Sequence, residues 1–215
     1  MSSKDMFDLK CVRCPRLAEH LVNVRREYPD YHGLPVAPFG AEKPKLLIVG
    51  LAPGMHGANA TGRPFTGDHA GVLLYKALFK YGFSNQETAI QANDGLKLKK
   101  CRITNAVKCL PPENKPTGSE VNTCNSFLKN EIESLGKGFV ILALGGIAHK
   151  AVLKATSLKV KDYPFGHAAL HKVDEKKWLL DSYHCSRYNT QTRRLTEDMF
   201  FDVFSKAREL VTHSI

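Results

Sequence analysis

A loop with six glycines extends from Gly50 to Gly71, directly after the apolar run at 46–49. A glycine-rich turn after a strand suggests phosphate binding, because backbone amides can surround an anion there. The glycines do not match GxGxxG, and Arg63 and Pro64 stand where a P-loop has its lysine and its hydroxyl residue. Proline also removes a backbone amide. The loop therefore does not indicate a nucleoside triphosphatase.

The side chains of this loop that offer chemistry are Phe65, Asp68 and His56. Small residues around them allow the backbone to approach a ligand closely. Each also has a purely structural interpretation. Asp68 suits the N-cap of a helix that starts near Ala70, Phe65 suits the core, and His56 suits a hydrogen bond within the loop. The loop alone leaves both interpretations open.

Four apolar runs, each closed by turn residues, predict buried strands at 45–50, 101–107, 139–146 and 177–184. Apolar residues at helical spacing predict helices at 72–81, 119–135, 147–153 and 196–211, two of them with Ser119 and Thr196 as N-caps. Strands that alternate with helices predict an α/β fold. We expect three α/β/α layers around a central, mainly parallel four-stranded sheet.

Ligands of open α/β sheets bind beyond the carboxyl ends of the strands. This rule brings together the loops at 50–71, 105–118, 145–149 and 184–194. The residues they present are Asp68, His56, Phe65, Asn105, Gly145, Gly146, His184, Ser186, Arg187 and Asn189. We therefore expect one shared pocket, with the glycine-rich loop as a wall.

Two of the six cysteines, Cys11 and Cys14, form a CxxC pair, and no second CxxC is present to mark a zinc ribbon. Spacing alone leaves a metal site and a redox pair both open. Residues 1–41 carry this pair, several prolines and no clear strand. We expect them to be an N-terminal extension packed on a single domain that spans 1–215.

The chain carries 31 lysines and arginines against 21 acidic residues, a formal net charge of +10. Such an excess favours a polyanion such as nucleic acid, although a diffusely basic surface that only keeps the protein soluble is the alternative. The sequence contains neither an apolar stretch of membrane-spanning length nor a secretory signal. We expect a cytoplasmic protein with no membrane partner.

Three segments together resemble family 5 (type b) of the uracil-DNA glycosylase superfamily. They are GLAPGMHGANATGRPFTGDHAG at 50–71, ITNAVKC at 103–109 and DSYHCSRYN at 181–189. The resemblance covers almost the whole chain, and it departs from the usual motifs at Gly54-Met55, Pro64 and Cys185. It implies a parallel sheet flanked by helices. It also implies hydrolysis of the N-glycosidic bond of uracil, and of other deaminated bases, in DNA from which the base has been flipped out.

The resemblance also implies roles for individual residues. Asp68 would position or activate the water that attacks C1′, and Asn105 would read the Watson–Crick edge of the base. Phe65 would stack on the base, His184 would hydrogen-bond its oxygen, and the backbone at Gly54 would lie against the base. Asp68, Asn105 and His184 are the expected catalytic residues.

The loop after His184 resembles one that enters the minor groove, with Arg187 and Tyr188 as candidates for the wedge that replaces the flipped base. Alternatively, these two side chains only cover the sheet edge or solvate the surface. The residues expected to contact DNA are Gly145, Gly146, Ser186, Arg187, Tyr188 and Asn189.

The resemblance implies a 4Fe–4S cluster on Cys11, Cys14, Cys109 and Cys124, which would pin the N-terminal extension to the core. We expect a monomeric glycosylase. We also expect it to be monofunctional, since no motif lysine is placed to form a Schiff base. Two other hypotheses remain: a uracil-specific enzyme like those of family 4, and a non-catalytic iron–sulfur protein that binds nucleic acid.

Overall fold

The computed structural model describes residues 6–136 and 138–213. The strands within these residues are β1 Phe39–Gly40, β2 Leu46–Gly50, β3 Cys101–Asn105, β4 Phe139–Leu144, β5 Leu170–Asp174 and β6 Lys177–Ser182. They form one sheet in the order β1-β3-β2-β4-β6-β5. β3, β2, β4 and β6 pair in parallel, whereas β1 and β5 pair antiparallel at the two edges.

Helices cover both faces of this sheet. They are α1 Pro15–Glu27, α2 Ala58–Thr61, α3 His69–Lys80, α4 Gly118–Ser134, α5 Gly146–Ala155, α6 Arg187–Gln191 and α7 Glu197–His213. Leu46 and Ile48 of β2 pack on the side of α3 and α7, and Leu47 and Val49 pack on the side of α4 and α5. The period-two alternation of a strand thus builds two cores, one on each side of the sheet.

The predicted α/β class and its parallel core are confirmed, and the four predicted strands correspond to β2, β3, β4 and β6. The two antiparallel edge strands are additional. β1 has only two residues, and β5 reads LHKVD, with half-buried and exposed positions but no apolar run. Neither gives the signal of a buried strand, because that signal is a continuous apolar segment.

The predicted cap at Ser119 is wrong. Thr117 caps α4 instead: its hydroxyl accepts a hydrogen bond from the Glu120 amide at 3.2 Å, and the Glu120 carboxylate accepts one from the Thr117 amide at 2.7 Å. This reciprocal pair is a capping box. At α7, the Thr196 hydroxyl accepts a hydrogen bond from the Met199 amide at 3.2 Å, which is the contact expected of the predicted N-cap.

The extension before β2 contains α1, a helix that the sequence analysis did not identify. Its buried residues Leu17, Leu21 and Val24 pack with residues that follow β3 and with Phe127 of α4, in a third apolar cluster. Arg16 adds a bidentate ion pair to Glu120, with both contacts at 2.7 Å. The capping box of α4 and the docking of α1 therefore share one carboxylate.

A buried ion pair fixes the glycine-rich loop to the segment at 84–98. The Arg63 guanidinium, 4% exposed, binds both oxygens of Asp94 at 2.8 and 2.7 Å. The guanidinium holds the pKa of the Asp94 carboxyl well below its usual range, and amides such as that of Ile90 add to the effect. Arg63 lies two residues before Phe65. The ion pair therefore restrains the part of the glycine-rich loop that forms a wall of the site described below.

No helix in the described part of the chain is long and apolar enough to cross a membrane.

Replacing Asp94 by asparagine should destabilise the fold by about 3 kcal/mol, because the Arg63 charge would be left buried without its partner. The measurement is urea unfolding at pH 7, with Glu113→Gln as the control. Glu113 pairs with Lys115 on the exposed surface, so its loss should not change the free energy of unfolding measurably. Equal stability of the two variants would contradict the role of the pair.

The same pair predicts a pH dependence. The folded-state pKa of Asp94 is depressed, so its stabilisation is complete above the ordinary pKa of about 4 and is lost as the pH falls towards the folded value. The wild type should therefore lose more stability than Asp94→Asn between pH 5 and pH 3. Parallel losses in the two proteins would contradict this account.

Candidate active site

A cavity of about 440 Å³ opens beyond the carboxyl ends of β2 and β3. Three of the four loops grouped by the sheet rule contribute to it: 50–71, 105–118 and 184–194. Its lining residues are Leu51, Ala52, Gly54, Ala58, Phe65, Asp68, His69, Ala70, Asn105, Asn114, His184, Ser186 and Arg187. All five residues expected to act on or hold the base are among them.

Asp68 both caps a helix and lines the cavity. Its Oδ1 accepts a hydrogen bond from the Gly71 amide at 2.7 Å, which makes it the N-cap of α3 and fixes its orientation. Its Oδ2 lies beside the backbone of Gly54 and Gly57. Burial raises the pKa of Asp68, and the hydrogen bond from Gly71 opposes that shift. The two interpretations left open by the sequence are therefore compatible, since each uses a different oxygen.

Two glycines of the loop make room for side chains of the site itself. A Cβ at Gly57 would lie 2.6 Å from Asp68 Oδ2. A Cβ at Gly50 would lie 2.5 Å from Asn105 Oδ1 and 2.6 Å from Phe65 Cζ. Carbon atoms do not approach these distances without displacing their neighbours. Gly50 and Gly57 thus make room for the protein's own side chains. Gly54 lines the cavity, and the close approach of a ligand to its backbone stays a prediction.

Phe65 is held in a backbone conformation that is rare for a bulky residue, with φ of +54°. The Tyr75 hydroxyl donates to the Pro64 carbonyl at 2.8 Å, and the absence of a side chain at Gly71 leaves space for the Phe65 carbonyl. The ring of Phe65 lies 6.0 Å from that of His184, with 30° between the planes. An aromatic face and an imidazole thus lie on the same side of the cavity.

His184 is held by the loop that follows it. The Asn189 side-chain amide donates to the His184 carbonyl at 2.8 Å, and the Ser186 hydroxyl caps α6 by accepting from the Asn189 amide at 3.4 Å. Burial lowers the pKa of His184 to about 4, so the ring is neutral at pH 7. Cys185, which departs from the usual motif, is fully buried.

Asn105 lines the cavity and carries an unpaired polar atom, which lies beside the backbone of Gly50. It is 3% exposed, and its Oδ1 has no hydrogen-bond partner among the residues that the structure describes. Its own carbonyl accepts from Lys108 Nζ at 3.0 Å, and that ammonium group lies 3.6 Å from the buried Glu131 carboxylate. A buried amide oxygen without a hydrogen-bond partner lowers the stability of the fold, unless a ligand donates a hydrogen bond to it.

A sequence model of the uracil DNA glycosylase superfamily matches residues 37–208. The chain belongs to the uracil-DNA glycosylase superfamily. It is 42% identical over 205 residues to a type-5 uracil-DNA glycosylase of Thermus thermophilus, covering 93% of each chain. It is 40% identical over 206 residues to a type-5 enzyme of Pyrobaculum aerophilum, covering 93% of this chain and 88% of that one.

Type-4 relatives match less of the chain. A type-4 uracil-DNA glycosylase of Archaeoglobus fulgidus is 34% identical over 167 residues, covering 75% of this chain and 76% of its own. The two type-5 relatives share a higher sequence identity with this chain than this type-4 enzyme does, and their matches cover more of the chain. The recognition of a type-5 member of the superfamily from three motifs is therefore confirmed.

Arg187 lines the cavity of this superfamily member, and Tyr188 follows it in the chain. Both are exposed, Tyr188 by 70% of its surface. They begin α6, which His69 ties to α3 through a contact of 2.9 Å between its Nε2 and Thr190 Oγ1. A large exposed aromatic residue on a short anchored helix, next to a concave site, suits contact with a second macromolecule.

Gly145 and Gly146 do not line the main cavity. They lie in an adjacent cavity of about 250 Å³ that shares His184 and Leu51 with the first. Gly145 has φ of +95°, so the turn into α5 requires glycine at this position whatever binds there. His56, which the sheet rule also grouped with the pocket, instead contacts the Tyr31 hydroxyl through Nδ1 at 2.8 Å.

Four cysteines meet in a separate cavity between α1, the segment after β3 and α4. They are Cys11, Cys14, Cys109 and Cys124. Burial raises the pKa of the Cys109 thiol to about 12, and the neighbouring thiols add to the shift. The Lys108 amide donates to Cys124 Sγ at 3.4 Å. Cys101 is buried elsewhere, against the core under α3.

Among the polar residues that line the main cavity, the sequence analysis missed two, His69 and Asn114. Only His69 had a sequence signal, since it follows Asp68 directly. Asn114 belongs to the proline-rich loop at 108–118, and its backbone has φ of +56°. Nothing in that loop's composition indicates which of its residues turns towards the cavity.

The glycine contacts predict opposite outcomes for two alanine substitutions in one loop. Gly57→Ala should destabilise the protein by about 1–3 kcal/mol, because the new methyl group overlaps the Asp68 side chain. Gly54→Ala is the matched control, since its Cβ would lie at an ordinary 3.7 Å from Asp68 Oδ2. Urea unfolding measures both. If Gly57→Ala is as stable as Gly54→Ala, the packing of Asp68 against this backbone is not as described.

Proposed function

We propose that this chain is a monofunctional glycosylase that removes uracil from DNA, leaves an abasic site and so initiates base excision repair. One observation carries the proposal: Asp68, whose carboxylate is fixed by the Gly71 amide, and buried Asn105, whose amide oxygen has no partner among the described residues, line the same cavity. A water-activating group and an incomplete hydrogen-bonding group in one concave site are the elements that hydrolysis of a base requires.

Asp68 handles the water and the sugar. With Oδ1 committed to Gly71, Oδ2 is the oxygen left to orient a water molecule. The water oxygen forms a bond to C1′, the bond from C1′ to the base nitrogen breaks, and its electron pair leaves with the base. The carboxylate stabilises the positive charge on the sugar and accepts the proton of the water.

The base is held by the other three residues. The Asn105 side chain completes its hydrogen bonding on the Watson–Crick edge of uracil, which offers both an acceptor and a donor. Phe65 provides the stacking face. His184, neutral at pH 7 because burial lowers its pKa, donates one N–H to the base oxygen on which negative charge develops. No proton needs to be removed from His184 for this role.

DNA reaches the cavity across a basic surface. The formal net charge of +10 favours phosphate contacts, and the exposed Arg187 and Tyr188 are the groups we assign to the space left by the flipped nucleotide. In this proposal Ser186 and Asn189 shape the loop. Gly145 and Gly146 offer amides to the DNA backbone from the adjacent cavity.

The proposal extends to other deaminated bases and to a monomer. Gly54 has no side chain where it faces the cavity, which leaves width for bases larger than uracil. None of the described lining residues of the cavity is a lysine, so a Schiff base with the sugar is not expected. Action on DNA also fits the expected cytoplasmic location.

The four clustered cysteines fit a 4Fe–4S cluster. Cys11, Cys14, Cys109 and Cys124 line one cavity, and their thiols are close enough to shift one another's pKa. An amide hydrogen bond to Cys124 Sγ is of the kind that stabilises a thiolate. When bound, the cluster supplies covalent cross-links between α1, the segment after β3 and α4. No step of base removal passes through it.

Asp68→Asn should lower the rate of uracil release by about 10²–10⁴-fold. Asparagine is as good an N-cap as aspartate, so α3 should remain intact. The assay uses end-labelled duplexes with a single U·G pair, treated with alkali after incubation, and the control is Asp198→Asn in the first turn of α7. Burial raises the pKa of Asp68 above its ordinary value of about 4. As the pH is lowered, the wild-type rate should therefore begin to fall while the pH is still above 4.

Cleavage only after alkali, lost in Asp68→Asn and kept in Asp198→Asn, supports the proposal. Duplexes that stay intact with the wild-type protein would favour a binding protein without catalysis. Cleavage without alkali would contradict the monofunctional assignment.

Anaerobically purified protein should be brown and contain about four iron atoms per chain. Cys109→Ser should lose the visible absorption and lower the melting temperature, whereas Cys101→Ala should keep the iron because Cys101 lies in a different core cluster. Colourless protein with stoichiometric zinc in place of iron would contradict the cluster.

A further inference from the structure

Two histidines and an aspartate from three elements meet away from the cavity and the cysteines. His149 belongs to α5, His171 to β5 and Asp181 to β6. The side chains of His149 and Asp181 are fully buried and that of His171 is 14% exposed. One nitrogen or oxygen atom from each lies within 4.8 Å of the other two. No step of the proposed reaction uses them.

The hydrogen bonds of His149 leave one of its nitrogens facing an anion. Nε2 lies 2.9 Å from the Tyr163 carbonyl, which only accepts, so Nε2 carries a proton. Nδ1 lies 2.8 Å from Asp181 Oδ1. A neutral ring with its proton on Nε2 directs the Nδ1 lone pair at the carboxylate oxygen. That contact is attractive only if a proton, carried by the ring or by the carboxyl group, or a metal ion lies between the two atoms.

A proton between Nδ1 and Oδ1 does not complete the site. Asp181 Oδ2 and His171 Nε2 lie 3.5 Å apart, and neither has a hydrogen-bond partner in the part of the chain that the structure describes. Buried polar atoms are normally paired. A nitrogen atom and an oxygen atom that face each other without partners therefore indicate a missing group that would bind both. The rings of Phe165 and Tyr163 close the surroundings and make the charge of Asp181 costly.

We propose that His149, His171 and Asp181 bind a divalent transition-metal ion of the zinc class. Imidazole nitrogen and carboxylate oxygen are ordinary zinc ligands at about 2.0–2.2 Å, which separates tetrahedral ligands by about 3.4 Å. The separations of 2.8 and 3.5 Å bracket that value. The bond from His149 Nε2 to a backbone carbonyl is the outer contact that metal-bound histidines typically make.

The ion would brace the backbone around the site without touching the substrate. Asp181 precedes His184 by three residues, and the first turn of α5, which begins at Gly146, contains His149. Phe165 contacts the His149 ring and also lines the adjacent cavity beside Gly146. The three ligands thus join the hairpin of β5 and β6 to the helix that follows Gly145.

The test uses protein with its four clustered cysteines occupied by iron, so that these thiols do not take up the added metal. After dialysis against a chelator, zinc is titrated by calorimetry into the wild type and two variants. His171→Gln removes the ligand at the sheet edge, and Lys172→Gln changes the exposed neighbour in the same strand. We expect one zinc per chain in the wild type and in Lys172→Gln, and binding weakened more than tenfold in His171→Gln.

Absence of zinc uptake by the wild type, or equal uptake by His171→Gln, would overturn the proposal. The ¹⁵N signals of the histidine rings give a second readout that does not depend on the stability of a variant. Metal-bound His149 carries a proton on Nε2 alone, and its Nδ1 signal shifts when zinc is added. Protons on both nitrogens of His149 in the presence of zinc would show that the pair is an imidazolium with a carboxylate, and the metal site would be rejected.

Discussion

The arrangement of the site depends on close packing of side chains against backbone that lacks a Cβ. Asn105 and Phe65 occupy the space beside Gly50, and Asp68 occupies the space beside Gly57. Because a methyl group at either position would displace these side chains, the orientation of the carboxylate and the amide follows from the glycine loop. The loop resembles a phosphate cradle in composition, yet its glycines serve contacts within the protein.

Burial tunes the same groups electrostatically. It raises the pKa of Asp68 and lowers that of His184, so each shift favours the uncharged form. The hydrogen bond from the Gly71 amide opposes the shift of Asp68 by favouring its ionised form, and the imidazole is neutral at pH 7. The proposed reaction uses this combination, an anion for the sugar and a neutral donor for the base in one cavity.

The sequence predicted the features that depend on local pattern. Apolar runs located β2, β3, β4 and β6, and the carboxyl-end rule gathered Asp68, Asn105 and His184, which do line one cavity. The edge strand β5 was missed because its sequence LHKVD contains no apolar run. The helix α1 was missed although Leu17, Leu21 and Val24 recur at helical spacing. The cap of α4 was displaced by two residues, since Ser119 and Thr117 are equally suitable caps on composition and only the partner Glu120 decides.

Other features had no local signal at all. The role of Gly50 depends on side chains of Phe65 and Asn105, which reach it only in the folded sheet. His149, His171 and Asp181 are separated by unrelated spacings, so only the pairing of β5 with β6 and the packing of α5 bring them together. Sites assembled from distant segments are visible in a sequence only when a known motif marks them, and no motif joins these three residues, although Asp181 begins the segment at 181–189.

The central claim is that the cavity receives a flipped uracil that stacks on Phe65, with Asn105 on its Watson–Crick edge and His184 at its oxygen. The most direct test is a crystal structure of Asp68→Asn with a duplex that carries a single U·G pair. We predict the uracil outside the helix, stacked on Phe65, with the Asn105 side-chain amide hydrogen-bonded to its Watson–Crick edge and Tyr188 or Arg187 in the duplex. A uracil that remains stacked in the helix, or one bound away from Asn105, would contradict the account.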